Sequence, residues 1–352
     1  MTTTWSNLFR VSGFGSRVLG PLGGLYGELI RVRNFFYDRG LVKTVWLPVP
    51  VISVGNLTTG GTGKTPMVVL LGKMAEEAGY SVGVVLRGYG STGGREADEV
   101  ILLGRELPGA MVSVCGDRIL GGRRAISQSV RVLIADDGFQ HRRLGRDLDI
   151  CLVDATNPFG GGKMIPAGRL REPVEGLGRA DIVVLTRCEQ VERAIVEEIK
   201  LEIRRYAGDV PILVSEHRVR GCEDLEGNRF DHCEEKIGGR KVFAFAGIGQ
   251  PEAFFNTVRK IGGIVVGTRE FRDHHYFTVG ELREIREEVN QVGADFIVCT
   301  MKDRVKISAG MIRDAGIGAK AIFAIAIEIF MEDEDREMLR KKIWEVSKRV
   351  VK

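Results

Sequence analysis

The residues best placed to do chemistry are those of the run VISVGNLTTGGTGKTP, residues 51 to 66, where an apolar β-branched stretch passes into a glycine-rich turn ending in Gly63, Lys64 and Thr65. Glycines at Gly60, Gly61 and Gly63 let successive backbone N–H groups turn toward one polyphosphate, together with those of Asn56, Thr59 and Thr62. Lys64 can then neutralise its outer oxygens, and the Thr65 hydroxyl is suited to Mg²⁺ at the start of the following helix, near Pro66. Thr58 stands where the general phosphate-binding pattern has glycine; Gly60 and Gly61 supply the flexibility instead. A second group of donors follows in Val132 to Asp137, an apolar run ending in two carboxylates before Gly138. The end of such a strand is where a P-loop fold places its metal-supporting acid, so Asp136 is expected to hold Mg²⁺ with Thr65, and Asp137 to aid the metal or orient the nucleophile. Gln140 and His141 follow closely enough to line the same place.

These residues need a sheet to hold them, and the rest of the chain provides the pattern for one. Runs at 51–54, 81–86, 111–114, 132–135, 149–153, 181–186 and 211–215 are apolar almost throughout, as strands buried on both faces should be. Helical spacing fills the intervals at 67–77 and 191–206, which is the signature of a parallel sheet covered by helices. Between 216 and 240 charges, Gly227-Asn228 and Gly238-Gly239 replace that periodicity, predicting a short hairpin-like connector. A second α/β unit follows, with strands at 241–246, 264–267, 295–300 and 321–327 and helices at 251–261, 279–292 and 333–350. The expected fold is therefore α/β: a P-loop NTPase-like domain at 41–215, a two-stranded linker at 216–240 and a smaller α/β/α domain at 241–352.

The 352 residues, 44% of them hydrophobic, can bury a sizeable core, and 51 basic against 47 acidic residues give no general reason to expect nucleic acid. Six scattered cysteines form no CxxC pair, so free thiols in a reducing compartment and no zinc spacing are expected. Residues 1 to 40 mix Trp5, Phe9, Leu22, Leu25 and Leu29 with Arg10, Arg17, Arg31 and Arg33. The apolar runs are too short for a membrane span and too interrupted for a signal peptide. Two readings remain open there, a segment lying in the plane of an anionic membrane surface and a helix pair packed on the protein's own core.

Taken in order, SVGNLTTGGTGKTP, LRGYG at 86–90, ADDGFQH at 135–141, PAGRLREP at 166–173, FAFAGIG at 243–249, FRDHH at 271–275 and TMKD at 300–303 resemble the lipid A 4'-kinase (tetraacyldisaccharide 4'-kinase) family. The resemblance implies ATP- and Mg²⁺-dependent phosphorylation of the 4'-hydroxyl of a tetraacyldisaccharide 1-phosphate, giving lipid IV-A. It implies a glycolipid acceptor and work at the cytoplasmic face of the bacterial inner membrane, with no nucleic acid and no known protein partner. It also assigns proton removal to an Asp and a His. The family's Gly-Asp-Glu motif falls on Ala97-Asp98-Glu99, making Asp98 the expected base, with Asp117 as the alternative; read from residues alone, Asp98 sits in a charged stretch suited to a solvated loop. His274 is the matching imidazole, expected to come from the second unit and to meet Asp98 only as the units close. His275 beside it leaves a metal-binding reading open. Arg87, Tyr89, Arg118, Arg171 and Glu172, with Gln140 and His141, match positions that would face substrate or phosphate.

Overall fold

The computed structural model describes residues 19–88, 98–318 and 321–348; Tyr89 lies outside them, as does most of the segment before the first helix. The chain groups into two compact units, one of residues 1–87, 107–217 and 329–352, the other of residues 88–106 and 218–328.

The first unit is built on a seven-stranded sheet. In chain order its strands are β1 (Val51–Asn56), β2 (Val82–Leu86), β3 (Met111–Val114), β4 (Val132–Asp136), β5 (Leu148–Asp154), β6 (Ile182–Thr186) and β7 (Ile212–Val214). They lie in the order β3-β2-β4-β1-β5-β6-β7, and every pair is parallel. β1, β4 and β5 are buried along their whole length, which explains their near-continuous apolar sequences. β1 lies between β4 and β5, so the chain leaves the centre of the sheet toward opposite edges, and a crevice opens beyond the strands' carboxyl ends. The register pairs Val54 with Asp136, and this alone sets the glycine-rich turn after β1 beside the aspartate pair after β4.

Helix α1 (Gly20–Asp38) precedes the sheet, and α2 (Lys64–Glu77) follows β1. α2 starts at Lys64 rather than near Pro66, because Gly63, at φ 89°, turns the chain directly into the helix.

The second unit opens with α3 (Asp98–Glu106), while α4 (Arg118–Ile126) and α5 (Arg193–Ala207) belong to the first. Its sheet consists of β8 (Glu216–Asp224), β9 (Arg229–Phe230), β10 (Lys241–Ala246), β11 (Ile264–Glu270), β12 (Phe296–Thr300) and β13 (Ile322–Phe330), in the order β11-β10-β12-β13-β8-β9. β8 and β9 form the expected hairpin, turning at Gly227 (φ 92°), but β8 also takes a place in the sheet beside β13. Between the hairpin and β10 lies a short helix, α6 (Cys233–Ile237), that the run of charges concealed. Helices α7 (Pro251–Lys260), α8 (Val279–Val292), α9 (Met301–Arg304) and α10 (Ala309–Ala315) complete the unit. Phe243, Phe245, Phe277, Leu282, Ile285 and Ile297 form one of its cores.

Two segments group differently from a continuous division of the sequence. Residues 88–106 belong with the second unit, where α3 packs against α9. The C-terminal helix α11 (Asp333–Ser347) belongs with the first, where it packs on α2 and β5 and Asp335 accepts the Val214 amide at 2.7 Å.

Candidate active site

The turn after β1 is sutured on several sides. Asn56 Nδ2 donates to the Thr58 carbonyl at 2.8 Å, the Thr59 amide donates to the Arg169 carbonyl at 2.7 Å, and the Arg171 amide donates to the Leu57 carbonyl at 2.8 Å. From β6, Thr186 Oγ1 donates to the Thr62 carbonyl at 3.0 Å, and Arg187, ion-paired with Asp154, donates to the Gly61 carbonyl at 2.7 Å. His217 closes the back of the turn: a Cβ added at Gly63 would lie 2.8 Å from its Nε2. Burial, with Arg187 nearby, pushes the His217 pKa down to about 3, so the ring is neutral. These ties leave the backbone little freedom. Gly63 offers no capping side chain to the first turn of α2, whose amides therefore point to the space beyond the helix start, a ready anion site.

Lys64 Nζ lies 3.3 Å from Asn56 Oδ1 and 3.5 Å from Asp137 Oδ1. Arg171 Nη1 donates to both oxygens of Asp137 at 2.8 Å. Burial alone would raise the Asp137 pKa; Lys64 and Arg171 outweigh it, and the carboxyl is held below its usual range. Asp137 takes φ 51°, a left-handed backbone that a non-glycine residue adopts at some cost and that surrounding contacts must maintain. Asp136 is buried at the end of β4. Thr65 and Asp136 provide hard oxygen donors, and Mg²⁺ is ordinarily held by one or two such protein groups together with phosphate oxygens, so the donor set fits that ion.

The neighbouring expected residues are also in this unit, with varied surroundings. Gln140 Nε2 donates to the Asn56 carbonyl at 2.7 Å and to Glu172 at 2.8 Å. Glu172 is buried, and also accepts from Arg179 at 2.9 Å and from Asn34 of α1 at 3.2 Å. Arg33 of α1 donates to the Gln140 carbonyl at 2.6 Å. His141 is half-buried, and burial together with Arg118 lowers its pKa. Arg87 is exposed at the end of the unit's first segment. Arg118, expected to face phosphate or substrate, is instead buried, with its guanidinium donating to the carbonyls of Cys115 at 3.1 Å and Asp136 at 3.2 Å. The second of these bonds ties it to the backbone that carries the aspartate pair. Asp117, the alternative base, is the N-cap of α4 and accepts the Ile119 and Leu120 amides at 2.9 and 3.3 Å.

Asp98 is not in a solvated loop. It begins α3, is only 2% exposed, and its Oδ1 lies 3.0 Å from His274 Nδ1. Both residues belong to the second unit, so the pair forms inside one compact body and needs no closure of two, correcting the expectation from sequence. The reason is local: α3 settles on α9, within the second unit. The pair sits past the carboxyl ends of β10, β11 and β12, since His274 follows β11 and α9 follows β12 directly. Gly247 makes the approach possible, as its amide donates to Asp303 Oδ2 at 3.0 Å and a Cβ there would crowd Asp303 Oδ1 at the same distance.

Burial would raise the Asp98 pKa, but the His274 hydrogen bond and the charges of Lys302 and Lys306 outweigh it and lower it. The hydrogen bond to Asp98 raises the His274 pKa against burial and Lys302. His274 has φ 59°; among the described residues, Asp137, Arg187 and His274 are three of the four non-glycine residues with positive φ, the fourth being Ser129. His275 is engaged elsewhere, stacked on Phe271 with centroids 4.7 Å apart and 2.9 Å from Glu281, a residue of the α8 capping box. Sequence reasoning assigned no role to Lys302, 3.4 Å from both Glu99 and Asp273, or to Lys306. The TMKD run was the available signal for the first; nothing in the string DRVKI marks the second.

A central parallel sheet, a glycine-rich turn leading into a helix with Lys64 and Thr65, and an aspartate pair on the adjacent strand define a P-loop phosphotransferase. The Tetraacyldisaccharide-1-P 4'-kinase family profile matches residues 15–344. The chain is 39% identical over 302 residues to a tetraacyldisaccharide 4'-kinase of Syntrophus aciditrophicus, covering 79% of this chain and 80% of that one. It is 38% identical over 323 residues to that of Geobacter sulfurreducens, covering 86% and 88%. A crystal structure of "apo" form LpxK from Aquifex aeolicus in complex with ATP superposes with a TM-score of 0.71 at 30% identity, covering 94% of this chain and 99% of that one. The chain belongs to the tetraacyldisaccharide 4'-kinase family.

Proposed function

We infer that this chain transfers the γ-phosphate of ATP to the 4'-hydroxyl of a tetraacyldisaccharide 1-phosphate, forming lipid IV-A in lipid A biosynthesis, with Asp98 as the base. The observation that carries the assignment of the base is the buried Asp98 carboxylate with an imidazole 3.0 Å from one oxygen and no hydrogen bond on the other. A sugar hydroxyl is too weak an acid to ionise unaided, so its proton passes to the Asp98 oxygen that carries no hydrogen bond as the new O–P bond forms. His274 holds the carboxylate in place and stabilises its charge. The bond from the γ-phosphorus to the bridging oxygen breaks, and ADP leaves.

The turn at Asn56 to Gly63, with Lys64 and the first amides of α2, binds the triphosphate, and Lys64 balances charge that develops on the transferred group. Mg²⁺, when bound, neutralises β- and γ-phosphate oxygens, and Thr65 and Asp136 are the residues that would hold it. Asp137 keeps Lys64 and Arg171 in place, while Gln140 and Glu172 brace the turn. Arg87, Tyr89 and His141 are assigned to substrate, and Arg118 to positioning of the aspartate pair.

The glycolipid acceptor lies in a membrane, and α1 fits such a surface. Leu22, Leu25, Leu29, Val32 and Phe36 recur at helical spacing, and all are exposed. The opposite side carries Gly23 and Gly27, both buried, with Gly23 tight against Met164. No helix among the described residues is long and apolar enough to cross a membrane. We assign residues 1–40 to peripheral attachment at the cytoplasmic face of the inner membrane, 41–87 and 107–215 together with the C-terminal helix α11 to the kinase domain, 216–240 to the linker, and 88–106 with 241–328 to the second domain.

The test is transfer of label from γ-labelled ATP, with Mg²⁺, to a tetraacylated glucosamine disaccharide 1-phosphate in detergent. Label at the 4' position is expected, and its absence would overturn the reading. Leu25→Asp with Leu29→Asp should reduce co-sedimentation with anionic vesicles; unchanged partition would remove α1 from the attachment.

A further inference from the structure

The charged groups around Asp98 form two layers. The outer one consists of His274, Lys302, Glu99 and Asp273, whose side chains are 15 to 35% exposed. The inner one is Asp303, Lys306 and Asp98, each no more than 2% exposed. Lys306 Nζ lies 2.8 Å from Asp303 Oδ1, 3.7 Å from Asp98 Oδ2 and 5.4 Å from the centre of the Phe277 ring. Asp303 is fixed in turn, since its Oδ2 accepts from Thr300 Oγ1 at 2.7 Å and from the Gly247 amide.

A lysine buried only to close an ion pair would need one carboxylate, and Asp303 supplies it. This ammonium is shared with a second, Asp98, on the oxygen that His274 does not engage. Lys302 also approaches that oxygen, at 3.9 Å, but it lies nearer to Glu99 and Asp273 and is partly open to water. Water screens an exposed charge and cannot screen Lys306.

We propose that Lys306 is a positioning residue of the phosphoryl transfer, an inner ammonium that fixes the second oxygen of Asp98, the one His274 does not engage, and keeps this carboxylate ionised to receive the acceptor's proton. The proposal rests on the reading of Asp98 as the base. Lys306 touches neither substrate; it acts through Asp98, as Asp303 acts through Lys306. The net lowering of the Asp98 pKa, to which Lys306 contributes after His274 and Lys302, has the sign this requires.

Lys306→Met alone would leave two buried carboxylates facing each other and could prevent folding. The decisive variant is therefore Lys306→Met with Asp303→Asn, which removes both charges of the inner pair, compared with Lys306→Arg, which keeps the cation. The full-length chain in detergent would be assayed for kcat and KM against pH, and the Asp98 carboxyl followed by carbon-13 NMR. In the double variant kcat should fall roughly tenfold with both KM values within about twofold, and the acid limb and the carboxyl midpoint should rise by about one pH unit. Lys306→Arg should keep the wild-type midpoint. A folded double variant with unchanged kcat and midpoint would overturn the proposal, as would a fall in kcat without movement of the midpoint. If the wild type itself labelled no glycolipid, the kinase reading would fail, while the carboxyl titration would still report whether Lys306 acts on Asp98.

Discussion

Asp137 and Asp98 are both buried carboxylates whose pKa values are lowered against the pull of burial, yet the means differ. Asp137 lies among permanent cations, bidentate to Arg171 and close to Lys64, at a turn whose backbone is tied from several sides. Asp98 has a titratable imidazole on one oxygen and two ammonium groups near the other, with no hydrogen bond on that second oxygen. A carboxylate saturated by guanidinium is suited to holding charges in place. One that shares a proton-carrying ring and keeps an oxygen free of hydrogen bonds is suited to moving a proton.

The comparison breaks first at Asp98. Asp98→Ala should lower kcat by about 10²–10⁴-fold with the fold retained, the range typical of a lost general base, and turnover near wild type in a steady-state assay would take the residue out of the mechanism. His274→Ala should cost less at neutral pH and should change the pH profile. Losing the hydrogen bond that lowers the Asp98 pKa moves the acid limb of kcat/KM upward, whereas an unmoved limb would make the imidazole a packing group. The pair also sets a sign for stability. The His274 contribution is complete below its unfolded value of about 6.5 and disappears as pH rises through its higher folded value. The Asp98 contribution is present above the ordinary carboxyl value of 3.8 and disappears as pH falls through its lower folded value. Thermal melts across pH should therefore show both contributions together only between these limits.

Next in size is the other carboxylate. Asp137→Asn should release Lys64 and Arg171 and lower kcat by roughly 10²-fold or more, the scale of one lost electrostatic support. Its acid limb should stay where it is, because Asp137 holds cations and accepts no proton; an upward shift like that of His274→Ala would erase the distinction between the two sites. The smallest effect is expected at Asp117. Asp117→Ala removes an N-cap and should cost about 1 kcal/mol by denaturant unfolding, with kcat unchanged. A large loss of kcat would return Asp117 to candidacy as the base.

Much of the first unit was readable in the string because its signals are local. β1, β4 and β5 are buried on both faces and are apolar almost throughout, and the glycines of the phosphate turn sit where left-handed backbone is needed, at Gly60 and Gly63. The inner layer of the second site was not readable. Asp303 lies in α9 and Lys306 in the turn just after it, in a stretch that looks like any charged surface, and only the packing of α3 against α9 makes that surface an interior. The burial of Arg118 was hidden for a related reason: its guanidinium donates to the carbonyls of Cys115 and Asp136, partners that no spacing reveals.

By itself the sequence determined the period and burial of the central strands, the phosphate turn, the aspartate pair at a strand end and the family to which the chain belongs. These follow from backbone preference and hydrophobic patterning along a few consecutive residues. Tertiary structure alone decided that α3 joins the second unit, that Asp98 and His274, 176 positions apart, come within 3.0 Å, and that Asp117 caps a helix. Which charges face each other across long separations depends on how helices pack and exclude water, and residue types in order do not encode that directly.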